Sequence, residues 1–319
     1  MSDLALPGYH VTHCQPDARP SGAVLIPARS ADGAQSLVSV GRGGQITWCR
    51  PLPFPVDEVR LGLKEKTLLV IGQNGRAHEV SFDGRILQTW VSAGVFTRGV
   101  VGIRVNAQRL HHAIQEIAPD IYLAPSGADS DAVICFERKG GIRWQWQLDT
   151  RLGCSGGTAS SAVMDPTDGG VLIALPNTGL VVKLSRRGDL VWVLQSGTEP
   201  TGLQPMRHLT LEEEVKVERP DHLSFCADGT LLLVDGRMAR CLRIDADAMT
   251  ARCVWAFQGA ASHSGACEVP GGNRMIATSK PAELLEVAAS GETVFHAKAP
   301  GWTFGRPEYL PETVAARLV

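Results

Sequence analysis

The sequence predicts an all-β fold, a six-bladed β-propeller built from four-stranded antiparallel blades. Three observations lead to this prediction. The 34 glycines and 19 prolines divide the 319 residues into short segments, and the apolar runs between them have the length of strands. A glycine followed by a large aromatic residue recurs along the chain. The mean spacing of the recurring aromatic residues is about 49 residues, which is typical of propeller blades.

The apolar runs are predicted strands because each covers only three or four residues and is bounded by turn residues. Examples are residues 68–71, 171–173 and 231–234. Asp168-Gly169-Gly170 precedes the second run, and Asp228-Gly229-Thr230 precedes the third run in the same pattern. A single twisted sheet of such strands cannot bury both of its apolar faces, so we expect the sheets to pack radially against one another.

The glycine and the aromatic residue mark the outer hairpin of each blade. The glycine supplies the turn, and we expect the aromatic residue to lie in the outermost strand. The pairs are Gly44/Trp48, Gly140/Trp144, Gly188/Trp192 and Gly291/Phe295, with Gly84/Trp90 as a stretched version and Trp255 without the glycine.

These markers place six blades at about residues 22–50, 57–91, 111–149, 158–196, 220–258 and 263–300 of one domain that covers residues 1–319. Two longer connections, residues 93–110 and 197–219, interrupt the spacing. We expect either the N-terminal segment or residues 301–310 to pair with the blade at the opposite end of the chain. Such pairing would close the ring.

Composition excludes several classes of function. The 31 basic and 33 acidic residues leave a net charge of −2, which argues against a nucleic-acid-binding surface. No run approaches the length of about 18 apolar residues that suggests a membrane span. The first residues lack the pattern of a signal peptide, so we expect a cytoplasmic protein that acts on a small molecule. The sequence leaves the oligomeric state open.

Cysteine spacing and glycine motifs argue against a bound metal or nucleotide cofactor. The eight cysteines include no C-x-x-C pair, so a zinc ribbon is not predicted and we expect all eight thiols to be free. The chain has no P-loop and no G-x-G-x-x-G that opens a helix. We therefore expect no cofactor.

Three stretches of the chain resemble a known family. They are residues 221–235 (DHLSF followed by DGTLLLVD), the double histidine of residues 111–114 (HHAI), and residues 264–273 (SGACEVPGGN). In their order along the chain they resemble blades of the bacterial arylsulfotransferases, which are built on a six-bladed propeller. The resemblance implies transfer of a sulfuryl group between phenols through a sulfated histidine. By position, His222 matches the nucleophile and His112 a second pocket histidine.

The intervening blade departs from the pattern of that family. The family begins this blade with His-x-Asn-Ser and has an arginine eighteen residues later, whereas this chain has Thr158-Ala159-Ser160-Ser161 and Pro176. The missing arginine removes a fixed positive charge that would stabilise an anion. Arg237 and Arg240, in the blade that carries His222, are the candidates to supply this charge.

Propeller geometry selects the same region without the family. Residues that open the inner strands converge on one axial funnel. His112, His222 and His263 lie at or near that position, and a neutral imidazole there can act as a base or a nucleophile. We therefore take these three as candidate catalytic residues. Candidate substrate-binding residues are His111, Thr158, Ser160, Arg237 and Arg240.

Three functions remain open at this point. The first is an enzyme that acts on a small aromatic substrate, either by sulfuryl transfer or by another group transfer, elimination or cyclisation. The second is a propeller that binds a ligand or a protein without catalysis. The third is a metal enzyme in which the three histidines are ligands and Glu116 orients one of them. A deep polar funnel that contains His112, His222 and an arginine would favour an enzyme, and a funnel filled by apolar side chains would favour a binding protein.

Overall fold

A computed structural model describes residues 6–72, 75–92, 100–103, 109–110, 113–127, 132–147, 159–195, 208–211 and 216–318. These residues form five β-sheets, one of them nine-stranded, that make up the six blades of a propeller, which confirms the predicted fold class. The chain begins with strand β1 (His10–Cys14), which belongs to the last blade, and a short 3-10 helix (Pro16–Ala18) follows it.

The first three blades are formed largely by consecutive strands. Blade 1 contains β2 (Ala23–Ser30), β3 (Gln35–Gly41) and β4 (Ile46–Leu52). Blade 2 contains β5 (Glu58–Leu61), β6 (Thr67–Gly72), β7 (Arg76–Ser81), β8 (Ile86–Ser92) and β9 (Val100–Ile103). Blade 3 contains β10 (Arg109–Leu110), β11 (Gln115–Ala118), β12 (Ile121–Gly127), β13 (Ala132–Glu137) and β14 (Ile142–Gln147).

The last three blades follow in the same order. Blade 4 contains β15 (Ser161–Met164), β16 (Val171–Leu175), β17 (Leu180–Leu184) and β18 (Leu190–Gln195), and β19 (His208–Leu211) follows it. Blade 5 contains β20 (Pro220–Phe225), β21 (Leu231–Asp235), β22 (Met238–Asp245) and β23 (Thr250–Gln258). Blade 6 contains β24 (His263–Val269), β25 (Asn273–Thr278), β26 (Glu283–Val287) and β27 (Thr293–Lys298), and the chain ends with β28 (Trp302–Phe304), β29 (Glu308–Leu310) and helix α1 (Glu312–Ala315).

The outer hairpins form as the sequence predicts. The marker glycines lie in turns with a positive φ, for example 84° at Gly44 and 90° at Gly291, a conformation that glycine adopts without steric cost. The aromatic residue that follows lies in the last of the consecutive strands that form each blade. Trp48 lies in β4, and Phe295 lies in β27, to which β1 adds one further outer strand. The glycine–aromatic repeat therefore marks five of the six blades, and in blade 5 the aromatic residue Trp255 occurs in β23 without the glycine.

Both ends of the chain close the ring. Strand β1 pairs antiparallel with β27, so that His10 faces Lys298 and the N-terminus adds a fifth outer strand to blade 6. Strands β28 and β29 pair antiparallel with β2 and form the innermost edge of blade 1. The prediction that one end pairs with the opposite blade is confirmed, and the second end does so as well.

The two long connections contribute strands that the sequence analysis did not predict. Strand β9 comes from the first connection and pairs in parallel with β8. Strand β19 comes from the second connection and pairs in parallel with both β18 and β23. It joins blades 4 and 5 into one nine-stranded sheet.

The hydrophobic core is divided among the interfaces between blades. Each of six buried clusters draws its residues from two adjacent blades, and together they cover the whole ring. The cluster between blades 6 and 1 contains Phe295 and Val24, so the joint made by the chain ends is packed like the others.

Two further observations concern the described parts of the chain only. No helix there has the length and apolar character needed to cross a bilayer. Seven of the eight cysteines lie there and carry free thiols, and Cys154 lies outside.

Candidate functional site

A polar cavity of about 360 Å³ lies at the face of the propeller where the inner strands begin. We call it the axial cavity. Its charged lining residues are Arg29, Asp57, Asp221, Lys280 and Arg306. Hydroxyl groups come from Ser262, Ser264, Ser279 and Thr303, and the imidazole of His263 completes the polar lining. The cavity therefore presents charge of both signs together with hydrogen-bonding groups.

Arg306 forms the deep side of the axial cavity. It follows β28 and extends across the axis, where Nη1 donates to Glu58 Oε2 at 2.7 Å and to the Ser160 carbonyl at 2.9 Å. Nη2 donates to the Asp221 carbonyl at 2.9 Å. One guanidinium from the C-terminal segment thus ties together the inner strands of blade 2 and blade 5 and the residue before the inner strand of blade 4.

Glycine makes room for Arg306. A Cβ at Gly265 would lie 2.7 Å from Arg306 Cγ and 3.0 Å from its Cα, distances that no side chain tolerates without a shift of the backbone. A Cβ at Gly305 would collide with the Asp57 carbonyl oxygen. The sequence thus keeps two positions free of side chains around this arginine.

A second layer of charge lies beneath Arg306. Arg60 Nε contacts Glu58 Oε1 at 2.8 Å, and its Nη1 lies 3.4 Å from Glu308 Oε2. The backbone N–H of Leu61 also donates to Glu308. Burial raises the pKa of Glu308 above its ordinary value, and the charge of Arg60 opposes this shift. Basic and acidic groups therefore alternate along the axis in a buried network.

His222 lies within this network and has no exposed surface. Arg60 Nη2 lies 2.9 Å from its Nε2, and the backbone N–H of Ala266 lies 3.4 Å from its Nδ1. A neutral ring has only one nitrogen lone pair to accept a hydrogen bond, so the shorter contact from Arg60 takes it. Burial, together with repulsion by Arg306 and Arg60, holds the pKa of His222 well below its ordinary value, and the ring is neutral.

His263 lines the axial cavity but is 96% buried, with a relative exposure of 4%. Its ring stacks against Phe257 with centroids 6.1 Å apart, and any side chain at Gly259 would collide with its Nε2. The ring edge is thus turned towards Gly259. Burial lowers the pKa of His263 to about 4, although the Met238 backbone carbonyl opposes the shift.

The other candidate residues lie in different environments. Ser160 belongs to the site, because its carbonyl accepts from Arg306 and its Oγ donates to the Asp221 carbonyl at 2.7 Å. Arg240 is buried in β22, where Nη1 donates to the Lys216 carbonyl at 2.6 Å. Arg237 is exposed in the turn before β22. The predictions for His111, His112 and Thr158 fall outside the described residues.

Sequence reasoning missed the charges that stand beside His222. They belong to Arg60 and Arg306 and not to the two arginines of blade 5 that were the candidates. Glu58 and Arg60 alternate in an inner strand, a pattern that directs both side chains to one face and could have been noticed. Arg306 gave no such signal, because its position depends on the pairing of β28 with β2. For the metal hypothesis, the described residues include no group of three or more metal-ligating side chains placed to hold an ion.

The fold and the site define the class of this chain, which is that of the β-propeller proteins. The sequence matches no protein-family model and no curated protein. It is similar in structure to a protein of unknown function from Bacteroides caccae, with 15% identity, a TM-score of 0.63 and coverage of 92% of this chain and 100% of the other.

Two further solved structures are similar. The β-propeller domain of Myceliophteria thermophila Cps50 (Swd1) has 11% identity and a TM-score of 0.56 over 94% of this chain and 92% of the other. The WD40 β-propeller domain of Doa1 has 9% identity and a TM-score of 0.52 over 90% of this chain and 89% of the other. Identities this low show a common fold alone. The resemblance to the arylsulfotransferases is carried only by the sequence stretches quoted above.

Proposed function

We propose that this protein is a non-catalytic propeller that binds a small polar molecule in the axial cavity. The observation that carries the proposal is the cavity itself, with about 360 Å³ of space lined by hydroxyl and charged groups at the mouth of the axis. This volume lies within the range of about 300–1,000 Å³ that is usual for small-molecule sites. The polar lining can fix the orientation of a ligand through several hydrogen bonds.

The state of His222 and His263, the two candidate histidines that the structure describes, supports binding over catalysis. A histidine nucleophile or base must present a nitrogen lone pair to the substrate. Nε2 of His222 faces Arg60 beneath the cavity, and Nε2 of His263 faces Gly259. The lone pair of His222 is thus taken by Arg60, and this supports a binding role for the cavity above it.

A cavity-filling variant tests this proposal. Ser262 lines the cavity and is exposed, so Ser262→Trp should fill the space without disturbing the packing between blades. Ser290→Trp, at an exposed hairpin of blade 6, is the matched control. We expect a screen of small metabolites by thermal shift to find compounds that stabilise the wild type and the control but not Ser262→Trp, since a ligand that binds only the folded state raises its stability.

The opposite result is equally clear. If no compound stabilises the wild type, or if every stabilising compound acts equally on Ser262→Trp, the cavity is not a binding site and the proposal fails.

Sulfuryl transfer, as the family resemblance implies, is a second candidate function. The observation in its favour is the 2.9 Å contact between Arg60 Nη2 and His222 Nε2, which gives the imidazole the guanidinium neighbour that Pro176 cannot provide. In this reaction His222 Nε2 would attack the sulfur of an aryl sulfate and release a phenolate. A second phenol would then take the sulfuryl group from nitrogen. Arg60 would have to release Nε2 first, because the neutral imidazole has only one nitrogen lone pair and Arg60 lies 2.9 Å from it.

Turnover of p-nitrophenyl sulfate with phenol as acceptor tests this candidate. Release of p-nitrophenolate that is lost in His222→Asn and retained in Ser290→Trp would support sulfuryl transfer and contradict a purely binding role. The absence of turnover in the wild type would remove this candidate.

A further inference from the structure

The polar groups that line the axial cavity differ in whether the protein itself gives them a partner. The Asp221 carboxylate lies 3.5 Å from Arg306 Nη2, and Asp57 has an interaction of its own within the protein. Ser264 Oγ donates to the Ala277 carbonyl at 3.0 Å. Both carboxylates of the lining are therefore already engaged, and so is this hydroxyl group.

Four other lining side chains form no ion pair or hydrogen bond in the part of the chain that the structure describes. They are Arg29, Ser279, Lys280 and Thr303, and we call them the donor cluster. Each of the four can donate hydrogen bonds, and Arg29 and Lys280 also carry a positive charge. What the protein leaves unsatisfied in the cavity is therefore hydrogen-bond donors and positive charge.

Two members of the donor cluster belong to adjacent strands of blade 1. Arg29 in β2 is the direct register partner of Thr303 in β28. Directly opposite residues of an antiparallel pair point to the same face of the sheet, with Cβ atoms about 4.5–5.5 Å apart. The Arg29 guanidinium and the Thr303 hydroxyl can therefore contact one and the same group of a ligand.

The other two members come from the neighbouring blade 6, where Ser279 and Lys280 directly follow β25. Near the end of that strand, the Ala277 carbonyl accepts from Ser264 Oγ at 3.0 Å. The same hydroxyl lies 3.3 Å from the carbonyl of Gly305, which directly follows β28. The ends of β25 and β28 thus lie side by side, and the donor cluster is gathered at the joint between blades 6 and 1.

The charge of the whole lining agrees with the charge of the donor cluster. The lining contains three cationic side chains and two carboxylates, and their identities are Arg29, Lys280, Arg306, Asp57 and Asp221. Because Arg306 offsets the charge of Asp221, repulsion of an anion by this carboxylate is weakened. The lining therefore has a net positive charge.

We propose that the donor cluster binds an oxyanion, which is the carboxylate or phosphate group of the ligand in the axial cavity. The inference rests on the proposed function and names the chemical class of the ligand. The planar guanidinium of Arg29 can donate two parallel hydrogen bonds to such a group, and Lys280 adds a second charge. A neutral or cationic group in the same place would displace water from both cations without offering them an acceptor of comparable strength, which is unfavourable.

Four aromatic compounds of similar size and different charge test the inference. They are benzoate, phenyl phosphate, benzyl alcohol and benzylamine, and binding is measured by calorimetry at low ionic strength. We expect at least one of the two anions to bind tenfold or more tightly than both the alcohol and the amine, because hydrogen bonds to a charged acceptor are the stronger ones. Comparison of benzoate with phenyl phosphate then distinguishes a carboxylate from a phosphate ligand.

Variants of the donor cluster locate the bound anion. Arg29→Gln and Lys280→Gln should each weaken the tighter anion about tenfold. Thr303→Val removes a hydroxyl without a change of charge and should weaken it roughly threefold, which attraction over a distance would not do. The matched controls are Arg187→Gln and Lys139→Gln, which remove the same charges from exposed hairpins of blades 4 and 3 and should leave affinity unchanged.

Three results would overturn the inference while the proposed function stands. Neither anion binds more tightly than benzyl alcohol, or the metabolites that depend on Ser262 in the screen carry no carboxylate or phosphate. The third is a site outside the donor cluster, indicated by Arg187→Gln weakening the anion as much as Arg29→Gln does or by wild-type affinity of Thr303→Val. The proposed function falls only if the screen itself finds no compound that depends on the cavity.

Discussion

Replacement of Arg306 by methionine should destabilise the fold more than any exposed charge deletion. Methionine keeps much of the apolar stem but removes the guanidinium that bonds Glu58 and two backbone carbonyls. The Arg306 side chain is 6% exposed and that of Glu58 is 1% exposed, so this ion pair is largely shielded from water. The perturbation therefore leaves a buried carboxylate with one partner fewer.

The magnitude follows from the geometry of the pair. Removing one member of a buried ion pair costs about 3–5 kcal/mol, because the other charge stays buried. Glu58 keeps Arg60 at 2.8 Å, which moderates the loss. We therefore expect the free energy of unfolding to fall by about 3 kcal/mol, at the lower end of this range.

Urea unfolding of Arg306→Met at neutral pH measures this loss. The control is Arg243→Met, whose pair with Asp228 is more than half exposed on the arginine side and should contribute at most about 1 kcal/mol. The double variant Arg306→Met/Glu58→Gln should recover part of the stability, because the buried charge is removed with its partner. If Arg306→Met unfolds at the same urea concentration as Arg243→Met, the axial network does not stabilise the protein and our reasoning is wrong.

Three more predictions test other parts of the structure. Burial lowers the pKa of His78 and His263 to about 4, whereas an imidazole in the unfolded chain has a pKa near 6.5. The free energy of unfolding should therefore fall as the pH drops from 7 to 5, by about 2 kcal/mol for each histidine at pH 5. A urea midpoint that is unchanged between pH 7 and pH 5 would contradict this prediction. The Sγ atoms of Cys226 and Cys241 lie 3.8 Å apart, so mild oxidation with diamide should join these two thiols before any others. Mass spectrometry should show the loss of two hydrogens, and a first disulfide between other cysteines would refute this prediction. Gly265→Ala should lower stability by about 1–3 kcal/mol, because its methyl group would press on the axial arginine, and a urea titration that matches the wild type would disprove the close approach.

Local sequence predicted the blades because the information that defines them is local. Gly84 and Gly188 adopt φ values of 85° in their hairpins, as a short turn with a positive φ requires, and the aromatic residue after each lies in the next strand. Strand β19 could not be predicted in the same way. Its four residues pair in parallel with two different blades, and only the packed ring brings those edges together.

The candidate site shows where this local reasoning ends. The sequence analysis placed His263 at the start of an inner strand, and β24 begins at this residue beside the cavity. Its chemistry depends on Phe257 and Gly259 around it, which no pattern near residue 263 reveals. Arg306 lies 248 positions from its partner Glu58, so the ion pair arises only when the C-terminal segment returns to blade 2. The residue types identified candidate functional residues, and contacts between distant parts of the sequence determine the chemistry available to each of them.

The closure by both chain ends also constrains how the chain reaches its folded state. His10 pairs with Lys298, and Ala23 pairs with Leu310, so the contacts that complete blades 6 and 1 have almost the largest sequence separation the chain allows. Contacts between residues that are far apart in the sequence form late, and a domain with many such contacts folds slowly. During synthesis on the ribosome, the inner edge of blade 1 must wait for residues 302–310 to emerge. A nascent chain that stalls before residue 302 would expose that unpaired edge, which is a template for aggregation.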